Sequence, residues 1–358
     1  MRYLIYISFF VLGCFNNSKA QSIDKVEIDF EKAYFEINDM LTFKQKPSFK
    51  RAVFVVENAY FDDILDYNLY LSLIDSYKKL THAYKKANPL KDYNFPDSNE
   101  VALNSALFKV FTDTVYNTEK RIVSIPFTYD FEDVFGNTDF TKTFIIKLLV
   151  SKSGTCHSLP YLYKIIAEEL GTQAYLSFAP HHIYIKQRNK KTGWYNTELT
   201  SGQFPLDGYL MATGYISREN ILSGIYMDTL SYKQSVATCL MDLSYAYRAK
   251  KGTLADNAFV LKCANLALSV YPNYVQALLV KAETHKAIYQ KSEKEKNTIA
   301  AQNNFQQMKD TYNQLIKLGY SEVPIEIFNK WFASYKKDKE QYENSEIKTI
   351  FNPVNNKK

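Results

Sequence analysis

"SGTCHSLPYLYKIIAEELG", residues 153–171, is the stretch on which the reading of this chain turns. It brings a cysteine, Cys156, straight after a glycine-punctuated turn and into the start of a helix. Leu159, Leu162, Tyr163, Ile166 and Leu170 recur at the spacing of one apolar helical face, and Gly171 follows as a C-terminal stop. The spacing predicts a helix buried along one side, with Cys156 in its first turn. A thiol there feels the partial positive charge of the unpaired backbone N–H groups, which favours thiolate over thiol. That is half of an activated nucleophile, and the other half is a base held in place by a third group.

Downstream the period changes. "QAYLSF" and "HIYIKQ" read as strands, "RNKKTG" as a polar turn, and "WYNTEL" as the strand that completes a hairpin. Three of the five histidines, His157, His181 and His182, follow Cys156 closely. His182 opens the strand "HIYIK", and Glu198 lies on the next one. Because side chains alternate along a strand, His182 and Glu198 share a face only if paired positions sum to an even number. A register slipped by one would separate them. His181 competes for the role of base, and His157 is expected to be a polar residue of the first helical turn. Glu168 and Glu169 take no catalytic role in this reading.

The rest of the chain is mostly helical. Residues 21–118 suggest two or three helices, with Ile64, Leu65, Tyr67, Leu69, Leu71, Leu73, Ile74 and Tyr77 filling one broad face, and a further helix from about Glu100 to Tyr116. "KTFIIKLLVSKSG" reads as a short apolar helix ending at Gly154. From 233 onward Val236, Leu240, Leu243 and Tyr247 form one stripe, and Phe259, Cys263, Leu266 and Val270 a second. "CANLALSVYPNYVQALLVKAETHKAIY" places Ala267, Pro272 and Ala277 as in a tetratricopeptide repeat, which it loosely resembles over 233–320; a generic helical bundle is the alternative. "SEIKTIFNPVNNKK" reads as a tail.

Composition sets the class. The 358 residues are 46% hydrophobic and 15% aromatic, ample for packed cores. The 44 basic and 38 acidic residues are interspersed, which speaks for solubility and against nucleic-acid binding. "MRYLIYISFFVLGCFNNSKAQS" has the order of a secretory signal, with cleavage expected after Ala20; the rival reading takes "VLGC" as a lipobox that makes Cys14 a lipid anchor. No segment is expected to span a membrane. Export to the periplasm or beyond is the expectation, and the composition suggests a bacterium with an outer membrane. Removal of the signal leaves Cys156, Cys239 and Cys263, an odd number, so at least one thiol stays free. Cys239 and Cys263 fall on apolar stripes and are expected in the core, where a disulfide between them is conceivable. Cys156, His182 and Glu198 lack a further ligand motif, so neither zinc nor any other cofactor is expected.

Cysteine at a helix start in "GTCHSLPYLY", histidine on a strand in "PHHIYIK", and an acidic residue four positions after Trp194 in "GWYNTELT" together resemble the transglutaminase-like cysteine enzymes, whose fold is related to that of papain. The run from Trp194 to Glu198 and Thr200 is similar to the family's Trp, Asp, Thr spacing, with Glu for Asp. More narrowly, the chain resembles a bacterial group that carries tetratricopeptide repeats after a transglutaminase-like domain. The resemblance covers roughly residues 100–230, or two thirds of the chain with the repeats.

It implies an α+β fold: signal 1–20, an N-terminal helical region 21–118, a transglutaminase-like core 119–230, a tetratricopeptide-like helical domain 231–340 and a tail 341–358. It also implies a catalytic triad of Cys156, His182 and Glu198, acting in thiol acyl transfer or amide hydrolysis on a protein or peptide partner docked by the helical repeats. The alternative from another class is a non-catalytic exported interaction scaffold on the same fold, and a third is a sensor that oxidises at Cys156. The residue completing an oxyanion hole is not legible.

Overall fold

A computed structural model describes residues 24–324, 326 and 342–352. The expected signal segment, with Cys14, lies outside the described residues. The chain is mixed α and β, with helices dominating and the strands in small sheets. No helix among the described residues is long and apolar enough to cross a membrane.

The described residues open with four helices, α1 (Lys25–Leu41), α2 (Phe49–Tyr60), α3 (Tyr67–Ala87) and α4 (Ser98–Thr112). Asp24, Ser48 and Asp66 cap the first three by accepting backbone N–H groups of the first turn. The single broad face expected from Ile64 to Tyr77 does not form. Asp62 and Asp63 adopt positive φ and Asp66 starts α3 afresh, so Ile64 and Leu69 point to solvent while Tyr70, Ile74, Tyr77 and Thr81 make the buried stripe. Helix α4 stops at Thr112, short of the expected Tyr116, because Val115–Tyr116 (β1) pairs instead with Ile122–Ser124 (β2).

Two further sheets position the site. Thr128–Tyr129 (β3) runs parallel to Ser153–Gly154 (β4), which follows the short helix α5 (Ile145–Ser151). Helix α6 (Ser158–Glu169) comes next. It is buried almost all round, beyond the one-sided stripe expected, because α3, α4 and α5 pack on it as well as the sheet. The three-stranded antiparallel meander β5 (Tyr175–Ala179), β6 (His182–Asn189) and β7 (Gly193–Thr197) keeps the expected order.

After the short helices α7 (Asp207–Thr213) and α8 (Arg218–Leu222) come α9 (Tyr232–Lys251), α10 (Asn257–Val270), α11 (Val275–Lys294) and α12 (Thr298–Lys317), the last three each packed on the one before. Helices α1 and α2 pack on α9 as well, with Phe30 edge-on to Tyr247 at 5.2 Å and to Phe259 at 6.3 Å. The N-terminal and later helices therefore share one hydrophobic core. The segment read as a tail contains helix α13 (Ser345–Phe351). Ile347, Ile350 and Phe351 sit at helical spacing and are buried, Phe351 against Phe108, Tyr195 and Phe204.

Candidate active site

Strand β4 delivers Cys156 to the site. Thr155 accepts the Leu159 N–H at 3.2 Å, and its own N–H donates to Ser158 Oγ at 3.0 Å. Helix α6 begins at Ser158 with His157 as its N-cap, so Cys156 stands in the turn just before the helix and not in its first turn. Its backbone N–H belongs neither to the β3–β4 pairing nor to the helix. The side chain is 7% exposed, and its sulfur lies 4.0 Å from the His181 carbonyl.

The hairpin supplies the partners. Ile185 pairs with Thr197 and Lys186 with Asn196, an even register that sets Tyr184 across from the position of Glu198. His182, Tyr184 and Glu198 therefore share one face, and the His182 and Tyr184 rings lie parallel. His182 Nε2 is 2.6 Å from Glu198 Oε2, both side chains being 1% exposed, and the imidazole lies close enough to the Cys156 thiol for the two to interact electrostatically. His181 turns away at positive φ, its ring bonding the Val323 carbonyl at 3.0 Å. The structure thus brings Cys156, His182 and Glu198 together, and it leaves His181 outside the line of contact.

Electrostatics favour a charged imidazole. Burial works against protonated His182, but the Glu198 carboxylate, its hydrogen bond and the neighbouring Cys156 thiol outweigh it, and the pKa is raised. Burial likewise opposes charge on Glu198. The His182 charge and hydrogen bond, with the Thr200 N–H at 2.9 Å and Thr200 Oγ1 at 2.7 Å, hold its carboxyl below the ordinary value. Cys239 and Cys263 are free thiols in the core, with no disulfide between them, and burial pushes both pKa values up. Of the three described cysteines, Cys156 alone has a base at hand.

Sequence reasoning missed Tyr129. The parallel β3–β4 pair sets it beside Gly154, and its phenol lies near the Cys156 thiol. Burial, with the neighbouring Cys156 and Glu198 charges, keeps the phenol protonated and able to donate. Two-residue strands leave no period to read.

His157 also differs from expectation. It is mostly enclosed, with Nε2 2.8 Å from Asp242 Oδ1 on α9 and Nδ1 2.9 Å from the Thr143 carbonyl. Tyr161 donates to the other Asp242 oxygen at 3.0 Å. Burial disfavours the imidazolium, but Asp242 outweighs it and carries the pKa to about 9. The pair's contribution to stability is complete below 6.5 and fades as pH rises through about 9. Asp242→Asn should cost about 2 kcal/mol at neutral pH, below the range for fully buried pairs because both side chains keep some solvent access. Urea denaturation measures this, and a change under about 0.5 kcal/mol would mean the pair is screened.

A cavity of about 360 Å³ opens onto Cys156 and His182. Its walls come from α2, from the segment 134–144, and from α9 and α11, and they include Glu57, Phe135, Phe144, Asp242 and Gln276. Glu57 caps α5, accepting the Ile145 N–H at 2.6 Å and the Ile146 N–H at 3.0 Å, while burial lifts its pKa to about 7. No family model, no curated protein and no solved structure matches the chain. The geometry of the site therefore carries the functional argument.

Proposed function

We propose that this is an exported, transglutaminase-like cysteine enzyme, an amide hydrolase or acyltransferase in which Cys156 is the nucleophile, His182 the base and Glu198 its orienting carboxylate. The observation that carries the reading is the buried imidazole of His182, bonded to Glu198 at 2.6 Å and set beside the Cys156 thiol. A structural thiol needs no such partner.

His182 takes the proton of Cys156, and the thiolate attacks an amide carbonyl carbon. As the C–S bond forms, the carbonyl oxygen becomes an oxyanion, which the Cys156 N–H and the Tyr129 hydroxyl stabilise. Collapse breaks the C–N bond, and the imidazolium gives its proton to the departing amine. Water, deprotonated by His182, then attacks the thioester, and the thiol leaves with the proton restored. An amine in place of water gives acyl transfer. Hydrolysis is the simpler outcome, since water is always present. The helices from α9 onward, tetratricopeptide-like in sequence, would hold the protein or peptide substrate.

Alkylation by iodoacetamide between about pH 5 and 8 tests the reading. Cys156 should label fast even at the acid end, and His182→Ala should slow it there by about tenfold or more. Slow labelling with an ordinary thiol pH profile in both proteins would leave the scaffold reading in its place.

A further inference from the structure

The cavity beside Cys156 is a joint product of the core and the later helices. From α9 come Asp242 and Tyr245, and from α11 comes Gln276. Two of these carry hydrogen-bonding capacity that the described residues do not use. The Gln276 Oε1 accepts from the Tyr274 hydroxyl at 2.7 Å, which fixes the amide and leaves its Nε2 without an acceptor among the described residues. The Tyr245 hydroxyl likewise has no hydrogen-bond partner among them, and burial keeps it protonated, its pKa pushed up to about 12. Both are donors, and the groups they suit are carbonyl oxygens. Gln276 and His181 also line the adjoining groove between the hairpin and α11, so the two spaces meet at these residues.

The remaining walls decide the side chain. Val53, Val56, Phe135, Phe140, Phe144 and Ile183 make them apolar and largely aromatic. Among the described residues that line it there is no Lys or Arg to receive an anion, the His157 and His182 imidazoles are already paired with Asp242 and Glu198, and a carboxylate would meet Glu57 and Asp242. A cation fares no better. Asp242 is already engaged by His157 and Tyr161, and both Glu57 oxygens accept backbone N–H groups. A volume of about 360 Å³ is at the small end of ligand sites, room for an amino-acid residue or two.

We infer that the cavity binds a peptide-like acyl group with a neutral, apolar or aromatic side chain, whose flanking carbonyl is held by Tyr245 and Gln276, so that α9 and α11 are part of the substrate site. This rests on the proposed acyl-transfer chemistry for its meaning, but not for its test. Saturation-transfer NMR on the Cys156→Ser variant, with N-acetylphenylalanine amide, N-acetylglutamate amide and N-acetyllysine amide at equal concentration, reads binding without catalysis. The phenylalanine amide should give transfer about tenfold stronger than the other two, and the added Tyr245→Phe and Gln276→Leu changes should lower its own transfer by about tenfold. Circular dichroism checks that those variants stay folded. Equal transfer from all three amides, or phenylalanine amide transfer that is undiminished by both changes, overturns the inference. A thiol without low-pH reactivity, in a protein that still selects the phenylalanine amide, would instead overturn the catalytic reading and leave this site standing.

Discussion

Glu198→Ala should cost about 3–5 kcal/mol of folding stability near pH 5.5, the largest loss expected of any single change in the site. The size follows from burial. His182 and Glu198 are each 1% exposed, so removing the carboxylate strands an imidazolium away from water. It also leaves the Thr200 N–H and hydroxyl without their acceptor. Both partners set the sign of the pH dependence. His182 has its folded pKa raised, so its contribution is complete below 6.5 and is lost as pH rises through about 10. Glu198 has its folded pKa lowered, so its contribution is complete above 4.5 and is lost as pH falls. The gap between wild type and variant is therefore widest between those two ordinary values and narrows toward alkaline pH, where a neutral imidazole needs no counter-charge.

Urea denaturation of both proteins at about pH 5.5 and about pH 9.5 measures the gap, and Glu198→Gln, which keeps a hydrogen-bond acceptor without the charge, should fall between the two. A gap that stays the same at both pH values would show that Glu198 acts through packing alone. That result would also remove the electrostatic ground for treating His182 as a base poised against a thiolate.

The elements of this site differed in how far they could be read before the fold was known, and the reasons are physical. The stripe from Leu159 to Leu170 is a local periodicity, and every member of it is buried. The sharing of a face by His182 and Glu198 depended on one parity, which turn and pairing decide, and the pairing of Ile185 with Thr197 satisfies it. Tyr129 and Asp242 obey no such rule. Tyr129 arrives through a two-residue parallel pairing, and Asp242 through a helix packed from far along the chain. Contacts of that kind come from tertiary packing and leave no mark in a neighbouring period.

The misread stretch from Ile64 to Tyr77 has a local cause of its own. Its apolar residues are dense enough to suit any face, and only the break at Asp62 and Asp63 decides which of them α3 buries. Helix α13 shows the converse, three buried apolar side chains in a segment whose polar surroundings read as a tail. Density and composition mislead where a turn or a distant partner makes the choice.

The glycine just ahead of the nucleophile is the most sensitive backbone position in the site. A Cβ added at Gly154 would collide with Ser158 Oγ and come within 2.9 Å of Leu148 Cδ1. Neither neighbour is free to move. Ser158 Oγ accepts the Thr155 N–H at 3.0 Å and donates to the Lys142 carbonyl at 3.2 Å, while Leu148 is fully buried on α5. Gly154 itself is held by pairing with Tyr129. Relief must then come from the turn between them, which carries Cys156.

Gly154→Ala should accordingly cost about 1–3 kcal/mol, the usual range for overpacking, and should also slow alkylation of Cys156 by about tenfold or more, because the sulfur moves relative to His182. Urea denaturation and iodoacetamide kinetics on one preparation separate the two effects. Gly208→Ala serves as the control, since a Cβ there meets nothing within 4 Å. A Gly154→Ala protein that loses stability yet labels as fast as wild type would show that the thiol is reactive without its alignment to His182, and the triad would lose its geometric basis.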